Sequence, residues 1–408
     1  MLDKNSISPI ILIMPKIYDR KLTPLLLKEI DLQRIVLLTG MRQVGKTTLM
    51  RQIFDTINSS AKIFLDLENP LNQRIFEEAN FDNILANLKN LGFSLEEKSY
   101  IFLDEIQLAP DIVKAIKYLY DHYHIKFFLT GSASFYLKNL FPESLSGRKI
   151  VYELFPLDFE EFLIFKEKKK SREKDFRSKA QGKSEISFET YKSYFNEYLE
   201  FGGFPAVVLE EDRIRKRQIL EDIFKSFFEK DVKSLSDFRE LRKLRDLIIL
   251  LANRAGSKLE ISKISSEIGI SRETVYSYLG FLEKSYFISL VYPFSRSLDG
   301  EVRGAKKVYL CDIGLLNYLG RLGEGTVLEN SVFQCLRNYG HLNYYEKYRG
   351  PEIDFILNNQ IAFEVKVKAD RSDWSRLKRV AESLKLKEYY LISRDYSELE
   401  GVILAQDL

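Results

Sequence analysis

Apolar runs and helical spacings alternate through the first part of the chain. Residues 34–39, RIVLLT, form a short β-branched run that predicts a buried strand, followed by a glycine-rich turn and a helix from Gly45 onward. Similar runs at residues 62–67, 100–104, 126–130 and 149–154 predict further buried strands, with helical patterns between them. Strands that are apolar on both faces and alternate with helices predict an α/β fold: a parallel sheet with helices on both faces.

The pattern changes after Pro156. Residues 161–185 carry nine basic and five acidic side chains, and apolar residues are sparse beyond Lys166, which predicts an exposed basic insertion. Residues 191–236 read as helical, interrupted by Gly202-Gly203-Phe204-Pro205, where two glycines before Phe-Pro predict a tight backbone turn. Helices are expected over residues 241–255, 259–268 and 272–284, with a tight turn at 269–271, and strands over 286–291 and 307–310. That order is the outline of a winged helix-turn-helix. Beyond Val327, a helix over 328–338, strands near 344–348, 352–357 and 361–367, a helix over 374–383 and a strand over 388–392 predict a small mixed α/β unit. The expected division is 1–160, 161–237, 238–311 and 312–408.

Composition narrows the class. The 408 residues are 45% hydrophobic and 30% charged, a globular balance, and 62 Lys plus Arg against 59 Asp plus Glu leave a net charge of +3. Such a balance exerts no strong global pull on nucleic acid, so a contact of that kind needs a local patch. Two cysteines exclude a disulfide scaffold, and the lone His122/His124 pair makes no zinc pattern. The apolar run at residues 10–14 ends at Pro15, well short of the ~20 residues of a membrane span. No small-residue cleavage site follows it, so a soluble cytoplasmic protein without membrane partners is expected.

The chemistry-bearing motif opens at the end of the first strand. Gly40-Met41-Arg42-Gln43-Val44-Gly45-Lys46-Thr47 matches G-x-x-x-x-G-K-[ST] in full, with Thr48 next, between a predicted strand and a predicted helix. The glycines let backbone N–H groups wrap phosphates, Lys46 places a cation at the β- and γ-phosphates, and the Thr47 hydroxyl can ligate Mg²⁺. The strand Tyr100-Ile101-Phe102-Leu103 delivers Asp104 beside this loop to hold Mg²⁺, and Glu105 to orient and polarise an attacking water. A polar group at the end of the next strand would sit close to the γ-phosphate; Ser132 is the first choice for this sensor and Thr130 the second. Bound ATP and Mg²⁺ are the implied cofactors.

Four segments, TGMRQVGKTTL, IFLDEIQ, FLTGSAS and LSGRKIVYELFPLDFEEF, resemble the successive motifs of a prokaryotic AAA-type ATPase family, often called archaeal-type ATPases. The resemblance covers roughly residues 15–400. It implies a P-loop ATPase domain followed by a helical section, a winged helix and a C-terminal domain of unknown function. It also implies that Arg148 is an arginine finger, acting at a subunit interface or within the chain.

The C-terminal unit carries a second candidate site. Asp354, followed by Glu364-Val365-Lys366, resembles the motif of the PD-(D/E)XK nuclease fold, in which two carboxylates hold Mg²⁺ and a lysine orients or activates water. Ile353, Phe355 and Leu357 alternate onto one face of the first strand; if Leu357 opposes Ile361 and Phe355 opposes Phe363 across a three-residue loop, Asp354 opposes Glu364 on a polar face with Lys366 next along. Like charges so placed call for a cation. Glu329, on the preceding helix, resembles the first acidic residue of that motif and is a further candidate ligand. In the winged helix, residues 258–307 hold eight basic and six acidic side chains, too mixed to announce phosphate binding.

Three functions fit these readings. The first is an ATPase acting on DNA through the winged helix and a Mg²⁺-dependent nuclease-like domain. The second is an ATP-driven switch or assembly protein, with a homo-oligomer or protein partner, whose C-terminal domain is a non-catalytic platform. The third is a DNA-stimulated translocating motor without nuclease activity.

Overall fold

The computed structural model describes residues 16–95, 98–109, 111–131, 147–170, 175–232, 241–295, 301, 304–347 and 350–408. The apolar run at residues 10–14 lies outside them. Among the described residues no helix is long and apolar enough to cross a membrane.

The five expected strands of the first part form one parallel sheet: β1 (Ile35–Thr39), β2 (Lys62–Asp66), β3 (Tyr100–Asp104), β4 (Lys126–Gly131) and β5 (Lys149–Glu153), in the order β2-β3-β4-β1-β5. Their continuous apolar runs are explained by burial on both faces. Val36, Leu38, Phe102 and Phe128 pack on one side with Leu49, Met50 and Ile53 of the helix Lys46–Thr56. Ile35, Leu37, Ile101, Phe127 and Leu129 pack on the other, against the helices Phe81–Asn90 and Ile112–Tyr123. This is the sheet of a P-loop NTPase, and the carboxyl ends of β1, β3 and β4 meet at one edge.

The second half is built on a seven-stranded mixed sheet. Its strands are β6 (Ile288–Pro293), β7 (Lys307–Leu310), β8 (Leu342–Glu346), β9 (Glu352–Leu357), β10 (Ile361–Lys366), β11 (Glu388–Ser393) and β12 (Val402–Leu404), in the order β12-β11-β10-β9-β8-β6-β7. The helices Leu241–Ala252, Ile261–Ile268 and Arg272–Lys284 precede β6.

Three expectations need correction here. First, residue 311 is no boundary of the sheet. β6 pairs with β7 antiparallel and also with β8 in parallel, through Tyr292↔Asn343 and Pro293↔Tyr344. Second, the basic insertion, though exposed over much of its described length, is anchored at several points. Phe176 is buried 4.9 Å from the Phe363 ring, Lys179 donates to the Leu408 carbonyl, and Lys170 pairs with Asp407 at 2.5 Å. Long basic side chains bury their stems, so a charge run can line a core. Third, Ile353 does not share a face with Phe355 and Leu357. It packs with Ile356 and Ala362, whereas Phe355 and Leu357 pack with Phe363. β9 carries one extra residue against β8 between Ile353 and Ile356, a bulge that resets the alternation and re-aims Asp354.

Gly202-Gly203-Phe204-Pro205 joins the two halves. A side chain at Gly203 would strike the Leu157 carbonyl at 2.0 Å, and the Gly203 N–H donates to Asp312 Oδ2 at 2.7 Å. The expected tight turn is present as a close approach of backbone to backbone.

Candidate functional site

The P-loop follows β1 directly, and Gly45, at φ 96, caps the helix Lys46–Thr56 with its N–H groups facing the loop. Lys46 is 5% exposed, and its ammonium donates to the carbonyls of Gly40 (3.0 Å) and Met41 (2.9 Å). Burial holds its pKa below the usual lysine value, against the pull of Glu105 and Asp231. A buried ammonium folded onto loop carbonyls is poised to trade them for phosphate oxygens.

Parallel registers carry the acidic pair to the same edge. Asp104 ends β3, and Thr130, near the end of β4, donates its hydroxyl to Asp104. Burial raises the Asp104 pKa, opposed by hydrogen bonds from Thr130 and Thr47. A buried carboxylate joined to the P-loop threonine is a donor set of hard oxygens, which fits Mg²⁺. Glu105 sits at φ 54, an uncommon conformation for a non-glycine residue, with its N–H on Thr130 Oγ1 at 3.2 Å. Thr130, the second-choice sensor, is therefore at the site; Ser132 lies outside the described residues.

Arg148 lies elsewhere. β5 pairs Ile35↔Lys149 at one end and Thr39↔Glu153 at the other, so Arg148 sits at the far end of β1 from the P-loop. At ~3.3 Å per residue the strand puts roughly 16 Å between it and the P-loop end of β1. It pairs with Asp121 at 2.9 Å.

Sequence reasoning missed three features of this site because they come from distant segments. Arg20 is 6% exposed, grips Glu161 (2.9 and 3.1 Å) and donates to the P-loop carbonyl of Val44 at 2.9 Å. Arg42 pairs with the buried Asp231 at 2.9 Å, and Cys311 Sγ lies 3.4 Å from Met41 Sδ. A cavity of about 220 Å³ opens beside the P-loop, lined by Ile17, Tyr18, Gly45, Leu49, Phe165 and Pro205.

The C-terminal candidates are arranged differently. The β9–β10 ladder runs in the expected register, Ile361↔Leu357 to Phe363↔Phe355. One step further, Asp354 accepts the Val365 N–H at 2.7 Å rather than completing a pair with Glu364. The expected polar face is buried, with Asp354 6% and Glu364 1% exposed. Lys307, from β7, lies 3.5 Å from Glu329 and 4.0 Å from Asp354. Burial and Glu329 raise the Asp354 pKa, and Lys307 opposes them. Glu329 also accepts from Tyr309 at 2.7 Å. Glu364 Oε1 takes Arg376 at 2.6 Å and Lys366 at 2.9 Å, while its buried Oε2 has no hydrogen-bond partner among the described residues. Among the described residues, no group of three or more His, Cys, Asp or Glu is placed to hold a metal ion.

Comparison with known proteins bears on both halves. An AAA domain family matches residues 32–163, and a domain of unknown function (DUF8612) matches residues 192–326. The uncharacterized protein MJ1544 of Methanocaldococcus jannaschii is 30% identical over 335 residues, 79% of this chain and 72% of that one. An uncharacterized protein of Haemophilus influenzae is 26% identical over 363 residues, 84% of this chain and 86% of its own. Among solved structures, the Walker-type ATPase PABY2304 of Pyrococcus abyssi shares 16% identity at a TM-score of 0.48, over 74% of this chain and 96% of that chain.

Proposed function

The chain belongs to the family of AAA-domain proteins that includes MJ1544 of Methanocaldococcus jannaschii, and from that premise we propose that it is an ATP-driven switch. It is a P-loop ATPase of AAA type. In the proposed switch, the nucleotide state passes straight into the helices and the mixed sheet packed on its P-loop. One observation carries this reading: consecutive P-loop residues touch the other half of the molecule, Met41 at Cys311 and Arg42 at Asp231.

The proposed roles follow the site's geometry. Residues Gly40 to Thr48 cradle the phosphates, with Lys46 turning from its loop carbonyls toward them. Thr47 and Asp104 would hold Mg²⁺, which would neutralise phosphate charge during the transfer. Glu105 accepts the proton of the attacking water, oriented through Thr130, with Ser132 as a further sensor. The cavity beside Gly45 takes the base, and Arg20 positions the P-loop through Val44. Arg148, at the far end of the sheet, serves a neighbouring copy in an oligomer.

A second reading rests on the orphaned Glu364 Oε2. It makes Asp354, Glu364 and Lys366, with Glu329, a Mg²⁺ site for phosphodiester hydrolysis on DNA guided by the winged helix over residues 238–311. The carboxylate–lysine pairings favour the switch over this. One experiment separates them: ATP turnover by the purified chain with and without duplex and single-stranded DNA in Mg²⁺, with the DNA scored for cleavage. Turnover indifferent to DNA, with the DNA intact, supports the switch. Cleavage lost in Glu364→Ala but not in Glu105→Gln supports the nuclease.

A further inference from the structure

Asp231 has no place in any motif. It lies on a π-helical turn, Phe227–Val232, that continues the helix Arg213–Ser226, and such turns are rare and concentrate at functional sites. Its residue is 4% exposed, and Arg42 Nε reaches its Oδ2 at 2.9 Å. Its charge also acts on Lys46, and Glu105 acts on it. A buried carboxylate paired with Arg42 is therefore within electrostatic reach of the two groups that the motif assigns to the terminal phosphate and the attacking water. Negative charge in a desolvated phosphate site opposes phosphate binding unless a cation changes partners. Arg42 is suited to the change, because a guanidinium fork accepts a carboxylate or a phosphate with the same geometry.

We propose that Asp231 is a positioning residue that sets ATP-over-ADP discrimination: Arg42 holds Asp231 when no terminal phosphate is present and exchanges it for that phosphate when ATP binds. The exchange removes the Arg42 tie between the Phe227–Val232 turn and the P-loop, so the helical section registers the third phosphate itself. This rests on reading the P-loop as an ATP site. An ion pair that only braces the loop makes the opposite prediction for the same substitution, and that makes the proposal testable.

The test titrates the full-length chain in Mg²⁺ with ADP and with a non-hydrolysable ATP analogue, for wild type and Asp231→Asn. Losing the carboxylate while keeping its shape tightens the ATP analogue by about tenfold, the factor that ~1.4 kcal/mol gives. ADP affinity moves by less than about threefold, since it brings no terminal phosphate to Arg42. A weakening of both ligands marks a brace and overturns the proposal, as do equal tightening and no change. Should Asp231→Asn not fold, as judged by thermal unfolding, Arg42→Gln decides: the preference for the ATP analogue falls about tenfold or more, and an unchanged ratio overturns the proposal. Wild type binding neither ligand would be a different failure, that of the ATP-site reading.

Discussion

The two acidic clusters of this molecule handle buried charge in opposite ways. At the P-loop, Asp104 is buried against hydroxyls, those of Thr130 and Thr47, and desolvation pushes its pKa up. Hydroxyls relieve only part of that cost, and the same oxygens suit a divalent cation. In the second sheet each carboxylate is beside a cation of the protein itself: Glu329 and Asp354 share Lys307, and Glu364 takes Arg376 and Lys366. Similar residue types, at a strand end in one half and inside strands and a helix in the other, thus form one site arranged for an outside cation and one already neutralised from within. A resemblance in motif does not separate these cases. The positions of the basic side chains do.

Three substitutions would break or sharpen that contrast. The largest effect is expected at Glu105→Gln, which keeps the fold and the phosphate cradle but removes the proton acceptor. Turnover should fall by about 10²–10⁴-fold with ATP still bound. Steady-state hydrolysis beside a binding titration checks this, and near-normal turnover would move the base to another residue.

Next in size is Lys307→Met, which leaves the buried Asp354 and the partly buried Glu329 without their shared ammonium. Removing one partner of a buried ion pair costs about 3–5 kcal/mol, visible as a lower urea midpoint at pH 7. Recovery of that midpoint on adding Mn²⁺ would mean that the carboxylates can close on a metal once the lysine is gone. A variant as stable as wild type would contradict internal neutralisation.

The smallest effect is expected for Glu364→Ala on ATP hydrolysis, a change within about twofold, because Glu364 contacts Lys366 and Arg376 and not the P-loop. A large loss of turnover would show the two clusters to be energetically linked.

How much of this was legible in the sequence follows from distance along the chain. The P-loop and the Asp104-Glu105 pair are contiguous motifs on short apolar strands, and the β9–β10 hairpin register follows from a three-residue loop. Arg42 and Asp231 are 189 positions apart, and Arg20 and Glu161 are 141 apart, so no local pattern announces either pair. Lys307 reads as one charge of a mixed winged-helix surface until β7 joins the long sheet through β6. That join rests on two paired residues, Tyr292 and Pro293. The bulge at Asp354 was hidden for a related reason: period-two alternation assumes an unbroken ladder, and one extra residue reverses every side chain beyond it.

The central claim is that the phosphate state of the P-loop is felt in the other half of the molecule. Hydrogen–deuterium exchange on the Glu105→Gln chain, loaded with ATP or with ADP in Mg²⁺, tests it directly. The switch reading predicts different protection between the two states in residues 213–232 and 307–316, where Asp231 and Cys311 meet the loop. Differences confined to residues 16–165, with the rest of the chain unchanged, would contradict it.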